Sequence, residues 1–77
     1  MSDETRNTIV ANIHRLLAGN FAAGRKPQNC QQLATAAGMT WHAVRDILSG
    51  KRECRWATLD KLARALAVTA VDLMTPR

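Results

Sequence analysis

The sequence contains few of the residues that build metal, redox and catalytic sites. It has two cysteines, two histidines, two prolines, a single phenylalanine and no tyrosine. Cys30 and Cys54 lack the paired spacing of a zinc site, and His14 and His42 do not supply the missing ligands. A phosphate-cradling glycine loop and a paired-carboxylate motif are also missing. We therefore expect no metal, no cofactor and no enzymatic activity from these 77 residues.

Long apolar runs are missing as well. No run approaches the ~20 residues that a helix needs to span a bilayer. The polar, acidic start MSDETRNTIV is unlike a signal peptide. We therefore expect a soluble, cytoplasmic protein without a membrane partner. The length suits one small domain with a modest core, over residues 1–77.

The apolar residues follow helical spacing, and no alternating strand pattern is visible. The first helix is expected to begin at Ser2 and to end at Gly19, followed by a connection that runs to Gln28. We expect Phe21 to fill the core from that connection. The apolar stripe of this helix is formed by Ile9, Val10, Ile13, Leu16 and Leu17.

The C-terminal third predicts two more helices. One is expected from about Trp56 to Leu66. A short last helix then begins at Thr69, which has Asp72 at capping-box spacing, and Pro76 stops it. The residues that the longer of these helices is expected to bury are Leu59, Leu62, Ala63 and Leu66.

The segment from residue 29 to residue 50 predicts two short helices joined by a tight turn. Asn29 and Thr40 are good N-caps, and Gln32 can reach back toward the first cap. Gly38 sits where a turn needs a positive φ. Ser49 and Gly50 end the second helix. The inward-facing residues are expected to be Leu33, Ala34, Ala37, Val44, Ile47 and Leu48.

The second of these helices has an unusual outward face. Its members are expected to be Trp41, His42, Arg45, Asp46 and Ser49. A solvated helix rarely begins with an exposed tryptophan unless that side chain meets a partner. Trp41 therefore either contacts a partner or folds back onto the protein as a hydrophobic lid.

Positive charge is concentrated around the same segment. The chain has eleven Lys and Arg against six Asp and Glu, a net charge of +5. The cations nearest the segment are Arg25, Lys26, Arg45, Lys51, Arg52 and Arg55. A basic domain whose cations cluster at one motif indicates a polyanionic partner, because phosphate neutralisation supplies most non-specific affinity.

From Ile9 to Met74 the order of elements resembles the lambda-repressor-like helix-turn-helix family, which includes Cro, the phage repressors and Xre-type regulators. The residues that carry the resemblance are Leu33, Ala34, Gly38, Thr40, Val44, Ile47, the run from Ser49 to Arg52 and the closing stretch LDKLARALAVTAVDLM. It implies an all-α, five-helix fold with the helix-turn-helix at helices 2 and 3. It also implies a sequence-specific regulator of transcription that binds double-stranded DNA, a repressor of bacterial or phage origin.

The resemblance also implies roles for single residues. Trp41, His42 and Arg45 fall where the family reads base edges, and Arg45 suits guanine because a guanidinium can pair with it bidentately. The positions that match phosphate contacts are Cys30, Gln31, Ser49, Lys51 and Arg52, with Arg55 as a further candidate. Cys30 departs from the glutamine that members often carry there. Arg25 and Lys26 could replace that contact or form a solvated loop tip.

Three alternatives concern partners and chemistry. Val71, Leu73 and Met74 are expected either to pair two protomers on a palindromic operator or to fill the protomer's own core. Instead of a repressor, the protein could be an antitoxin that regulates its own operon, an alternative that a long toxin-wrapping tail would support, or a protein-interaction module that uses Trp41 and Trp56. The Cys54 thiol, placed between two arginines, either has a lowered pKa or is a bystander.

Overall fold

All regular secondary structure in the described part of the chain is helical. The computed structural model describes residues 3–76, and its helices are α1 (Asp3–Ala23), α2 (Cys30–Ala37), α3 (Trp41–Leu48), α4 (Trp56–Ala65) and α5 (Ala70–Met74). The prediction of an all-α, five-helix fold is confirmed. The expected cap Ser2 lies outside the described residues. Within this range no helix is both long and apolar enough to cross a membrane.

The first helix is longer than predicted because Gly24, and not Gly19, ends it. Gly19 stays helical, although glycine inside a helix costs roughly 0.5–1 kcal/mol relative to alanine. Gly24 has a φ of 70°, and the Arg25 amide donates to the Asn20 carbonyl at 2.8 Å. This left-handed ending satisfies a free carbonyl of the last turn. The predicted end at Gly19 is therefore wrong, and the connection to α2 shortens to residues 24–29.

The longer first helix also changes the position of Phe21. This residue lies on the last turn of α1 and is 70% exposed. The prediction that it fills the core from a loop is therefore wrong. Leu17, one turn earlier, is buried in the core instead.

One hydrophobic core joins the helices and fixes the orientation of α2 and α3. Helix α2 packs against α3 and α4, and α5 packs against α1 and α4. Burying one large aliphatic side chain contributes about 1.5–3 kcal/mol. The largest fully buried side chains are Ile9, Ile13, Leu33, Val44, Ile47, Leu59, Leu62 and Leu73.

Helix α5 is joined to α1 by a buried amide. Asn12 is 3% exposed, and its Nδ2 donates to the carbonyls of Leu73 at 2.8 Å and Thr75 at 2.9 Å. Leu73 is fully buried in the protomer's own core, so of its two expected roles the structure supports core filling and not dimerisation. Val71 is 63% exposed and Met74 is half-buried, which leaves these two as candidates.

The turn between α2 and α3 has the predicted chemistry. The Asn29 side chain accepts from the Gln32 amide at 2.9 Å, and Gly38 has a φ of 69°. Thr40 caps α3 by accepting from the Ala43 amide. Gln32 reaches back as expected but accepts from the amide of Gln28, at 2.8 Å, and not from that of the cap residue. The angle between α2 and α3 is therefore set by local hydrogen bonds as well as by the core.

Candidate nucleic-acid interface

Helix α3 has one buried face and one exposed face. Val44 and Ile47 are fully buried, and Ala43 is buried beside them. The predicted third member of the buried stripe, Leu48, is only half-buried, and Asp46 is half-buried instead of exposed. The residues on the exposed face are Trp41, His42, Arg45 and Ser49. The predicted reading side chains therefore lie on one accessible surface.

Arg45 and His42 both contact the ring of Trp41. The guanidinium carbon of Arg45 lies 4.7 Å from the centre of the Trp41 ring. The His42 ring meets the same indole edge-on, with centroids 5.0 Å apart and planes at 61°. Trp41 remains 42% exposed. Its ring contacts neighbours on its own helix, which does not support a hydrophobic lid over the core.

The chain turns sharply after α3 and keeps two cations beside the end of that helix. Gly50 has a φ of 80°, and the amides of Lys51 and Arg52 both donate to the Asp46 carbonyl, at 2.9 and 3.2 Å. The Ser49 hydroxyl also donates to that carbonyl. Lys51 and Arg52 are exposed, whereas Ser49 would have to rotate its hydroxyl to donate to a phosphate.

The start of α4 is the one helix start in residues 29–76 that lacks a capping side chain. Arg55 occupies the N-cap position and makes no side-chain cap hydrogen bond. An arginine side chain cannot accept hydrogen bonds from the first-turn amides, and its charge opposes the helix dipole. Lys51, Arg52 and Arg55 line a surface depression of about 540 Å³, together with the acidic Glu53. The structure brings these three predicted phosphate-binding cations together.

The start of α2 forms a second polar surface. Lys26, Asn29 and Gln31 line a depression of about 530 Å³. Cys30 packs against the core, so it can offer an anion its backbone amide but not its thiol. Arg25 is exposed and does not line this depression. Of the two loop cations, the structure therefore brings only Lys26 to the start of α2.

Cys54 is buried, and its environment differs from the one that a lowered thiol pKa requires. Burial raises the pKa of the Cys54 thiol. The alternative of a lowered pKa beside Arg52 and Arg55 is therefore wrong, because desolvation disfavours the thiolate. Across residues 3–76, no group of three or more His, Cys, Asp or Glu side chains could hold a metal ion.

Two features of this surface were not among the predictions from the sequence: the contact between Arg45 and Trp41, and the start of α4 without a capping side chain. The stacking of Arg45 on Trp41 could have been predicted, because residues four apart on a helix are neighbours and arginine pairs well with tryptophan. The uncapped start of α4 also had a signal, since arginine stands where Ser, Thr, Asp or Asn is preferred.

A family model described as Cro/C1-type HTH DNA-binding domain matches residues 20–76. The match covers well over half of the chain and includes α2, α3, the basic turn after them and both C-terminal helices. Comparisons with curated proteins and with solved structures gave no match. The resemblance inferred from the sequence is confirmed, and it identifies the protein as a DNA-binding regulator. The chain belongs to the Cro/C1-type helix-turn-helix DNA-binding family.

Proposed function

We propose that the protein is a sequence-specific repressor that binds double-stranded DNA with α3 in the major groove. The exposed face of α3 carries this proposal, because it presents Trp41, His42 and Arg45 together at the start of the helix. The major groove is about 12 Å wide and admits one helix. In helix-turn-helix proteins the N-terminal residues of that helix contact base edges.

The three exposed side chains can distinguish base pairs in different ways. Arg45 can pair bidentately with N7 and O6 of guanine, which is worth about 1–3 kcal/mol of discrimination. His42 can donate or accept one hydrogen bond. Trp41 offers an apolar surface to a thymine methyl group or to the sugar-phosphate chain.

Phosphate contacts on either side of α3 would set the register of the helix in the groove. Lys51, Arg52 and Arg55 share one depression, and Thr58 in the first turn of α4 lines it as well. On the other side, Lys26 and Gln31 line the depression at the start of α2, where Cys30 would offer its backbone amide. Such contacts position a protein without reading sequence. Arg25 and Ser49 complete the proposed phosphate set.

We further propose that two protomers bind a palindromic operator. The region 1–77 would act as one DNA-binding domain, in the bacterial cytoplasm or nucleoid and from a chromosomal or phage gene. A single small domain contacts a limited stretch of DNA, and dimers gain affinity by occupying two half-sites. The exposed Val71 and the half-buried Met74 are the proposed pairing residues. An occupied operator excludes other proteins, which favours repression over activation.

Selection of bound fragments from a random duplex pool tests this function. We expect a shared motif with two inverted half-sites. Affinity for the motif should fall with salt, with a log–log slope of about −4 for each protomer if roughly four phosphates are neutralised. Recovery of no motif would contradict sequence-specific binding. Binding that is insensitive to salt would favour a protein-interaction module instead.

A further inference from the structure

We propose that Trp41 is a positioning residue, whose indole ring holds Arg45 in the orientation from which the guanidinium reads a guanine. This inference rests on the proposed function and refines it: in place of a direct contact between Trp41 and a thymine methyl group, it gives Trp41 a role that acts through Arg45. In the free protein Trp41 and Arg45 already form one preassembled unit. In this unit Arg45 determines the base preference, and Trp41 acts through Arg45 without contacting a base itself.

The position of the Arg45 guanidinium over the Trp41 ring carries this proposal. The guanidinium carbon lies 4.7 Å from the indole centre, inside the ~6 Å range of a cation–π contact. The His42 ring packs edge-on against the same indole at 5.0 Å, which limits the freedom of the indole. Thr40 fixes the helix start directly before Trp41 through its bond to the Ala43 amide.

Stacking and base reading use different parts of the arginine side chain. A stacked guanidinium presents its flat face to the ring, whereas its N–H donors lie in the guanidinium plane and point outward from its edge. Bidentate pairing with N7 and O6 of guanine uses two of those edge donors. Arg45 can therefore stack on Trp41 and contact guanine at the same time.

The contact between Trp41 and Arg45 in the free protein lowers the entropic cost of binding a base through Arg45. A free arginine on a helix surface samples many rotamers and loses them when it docks against a base. The stack removes part of that freedom before DNA arrives. Trp41 is poorly suited to read a base pair by itself, because its indole has one donor and no acceptor, and the ring already contacts Arg45 and His42.

The test is a double-mutant cycle measured on the selected site. The DNA duplexes in this test differ only at the base pair where Arg45→Ala relaxes the base preference. They are titrated with three single variants, Trp41→Leu, Trp41→Phe and Arg45→Ala, and with the two double variants. Trp41→Leu should weaken that preference about two- to fivefold, which corresponds to one exposed cation–π contact. Trp41→Phe should retain most of it. In the Arg45→Ala background, neither change should have a further effect.

A second measurement follows the stack without DNA. In the free protein, nuclear magnetic resonance should show the Arg45 side-chain protons shifted upfield by the indole ring current, and Trp41→Leu should abolish that shift. Arg52, which is exposed on the turn after α3, serves as the internal control and should not change. Thermal unfolding of each variant checks that the fold is retained.

The outcomes separate this inference from the proposed function. If the wild-type protein selects no motif, the proposed function fails, whatever the ring-current shift shows. If a motif is selected but Trp41→Leu alters preference at a different base pair, and its effect adds to that of Arg45→Ala, then Trp41 reads a base itself and the positioning role is overturned. An Arg45 shift that does not depend on Trp41 overturns it as well.

Discussion

The two faces of α3 are under different constraints: one packs in the core, and the other is exposed to solvent. On the inner face, Val44 and Ile47 are fully buried in the hydrophobic core, and α3 packs against α2. On the outer face, Trp41 and Arg45 are exposed and contact each other. Packing constrains the inner residues, whereas the fold places few demands on the outer ones. One helix of eight residues can therefore hold the fold and bind DNA through separate side chains.

The largest effect is expected on the inner face. Ile47→Ala should lower the free energy of unfolding by about 2–5 kcal/mol, because it leaves a cavity where α3 meets the core. Urea denaturation measures this loss. Ile47→Val is the matched control and should lose about 0.5–1.5 kcal/mol. If both variants were as stable as the wild type, the inner face would not be part of the core.

The outer face should respond in the opposite way. Arg45→Ala should weaken binding to the selected site by about 1–3 kcal/mol and relax preference at one base pair. Its free energy of unfolding should change by no more than about 0.5 kcal/mol, because Arg45 is an exposed residue. Arg64→Ala, on α4, removes an exposed arginine that pairs with Asp60 and should leave base preference intact. An unchanged preference in Arg45→Ala would remove its reading role.

Arg55 provides an intermediate case, in which binding and stability are expected to conflict. Arg55→Ser should stabilise the fold by about 1 kcal/mol relative to Arg55→Ala, because serine can cap the first-turn amides of α4. Both variants should bind all DNA sequences more weakly than the wild type, since both lose the cation. Calorimetry and salt titration separate the two effects. Full DNA affinity in both variants would exclude Arg55 from the phosphate contacts.

The smallest effect is expected from a single phosphate contact. Lys51→Ala should weaken binding to every sequence about equally and should flatten the salt slope by about one unit. Lys61→Ala, an exposed lysine on α4, is the control and should leave the slope unchanged. A loss confined to the selected site would instead make Lys51 a base-reading residue.

Local chemistry explains why much of the fold could be predicted from the sequence. Asn29 and Thr40 cap helices and Gly38 forms a turn, and each does so through contacts within a few residues along the chain. The residue type alone therefore predicts the role at these positions. Thr69 and Asp72 likewise form the predicted capping box of α5. The family resemblance depends on such signals in the right order, and the family match agrees with it.

The sequence did not predict which of two similar local signals would end a helix, or which face of a very short helix would be buried. Gly19 and Gly24 are both possible helix ends, and the helix ends at the second, which places Phe21 on the surface. Helix α5 has only five residues, too few for periodicity to show that Leu73 faces inward. Ala67 adopts a φ of 60° after α4, where sequence rules expect glycine. The contact between Trp41 and Arg45 differs from these cases, because their spacing of four residues on one helix was a signal for it.

The central claim is that the outer face of α3 reads DNA sequence. The most direct test repeats the duplex-pool selection with a triple variant, Trp41→Ala, His42→Ala and Arg45→Ala, after confirming that it is folded. The account predicts that the variant still binds DNA in a salt-dependent way, through its retained cations, but recovers no shared motif. Recovery of the wild-type motif by this variant would contradict the account.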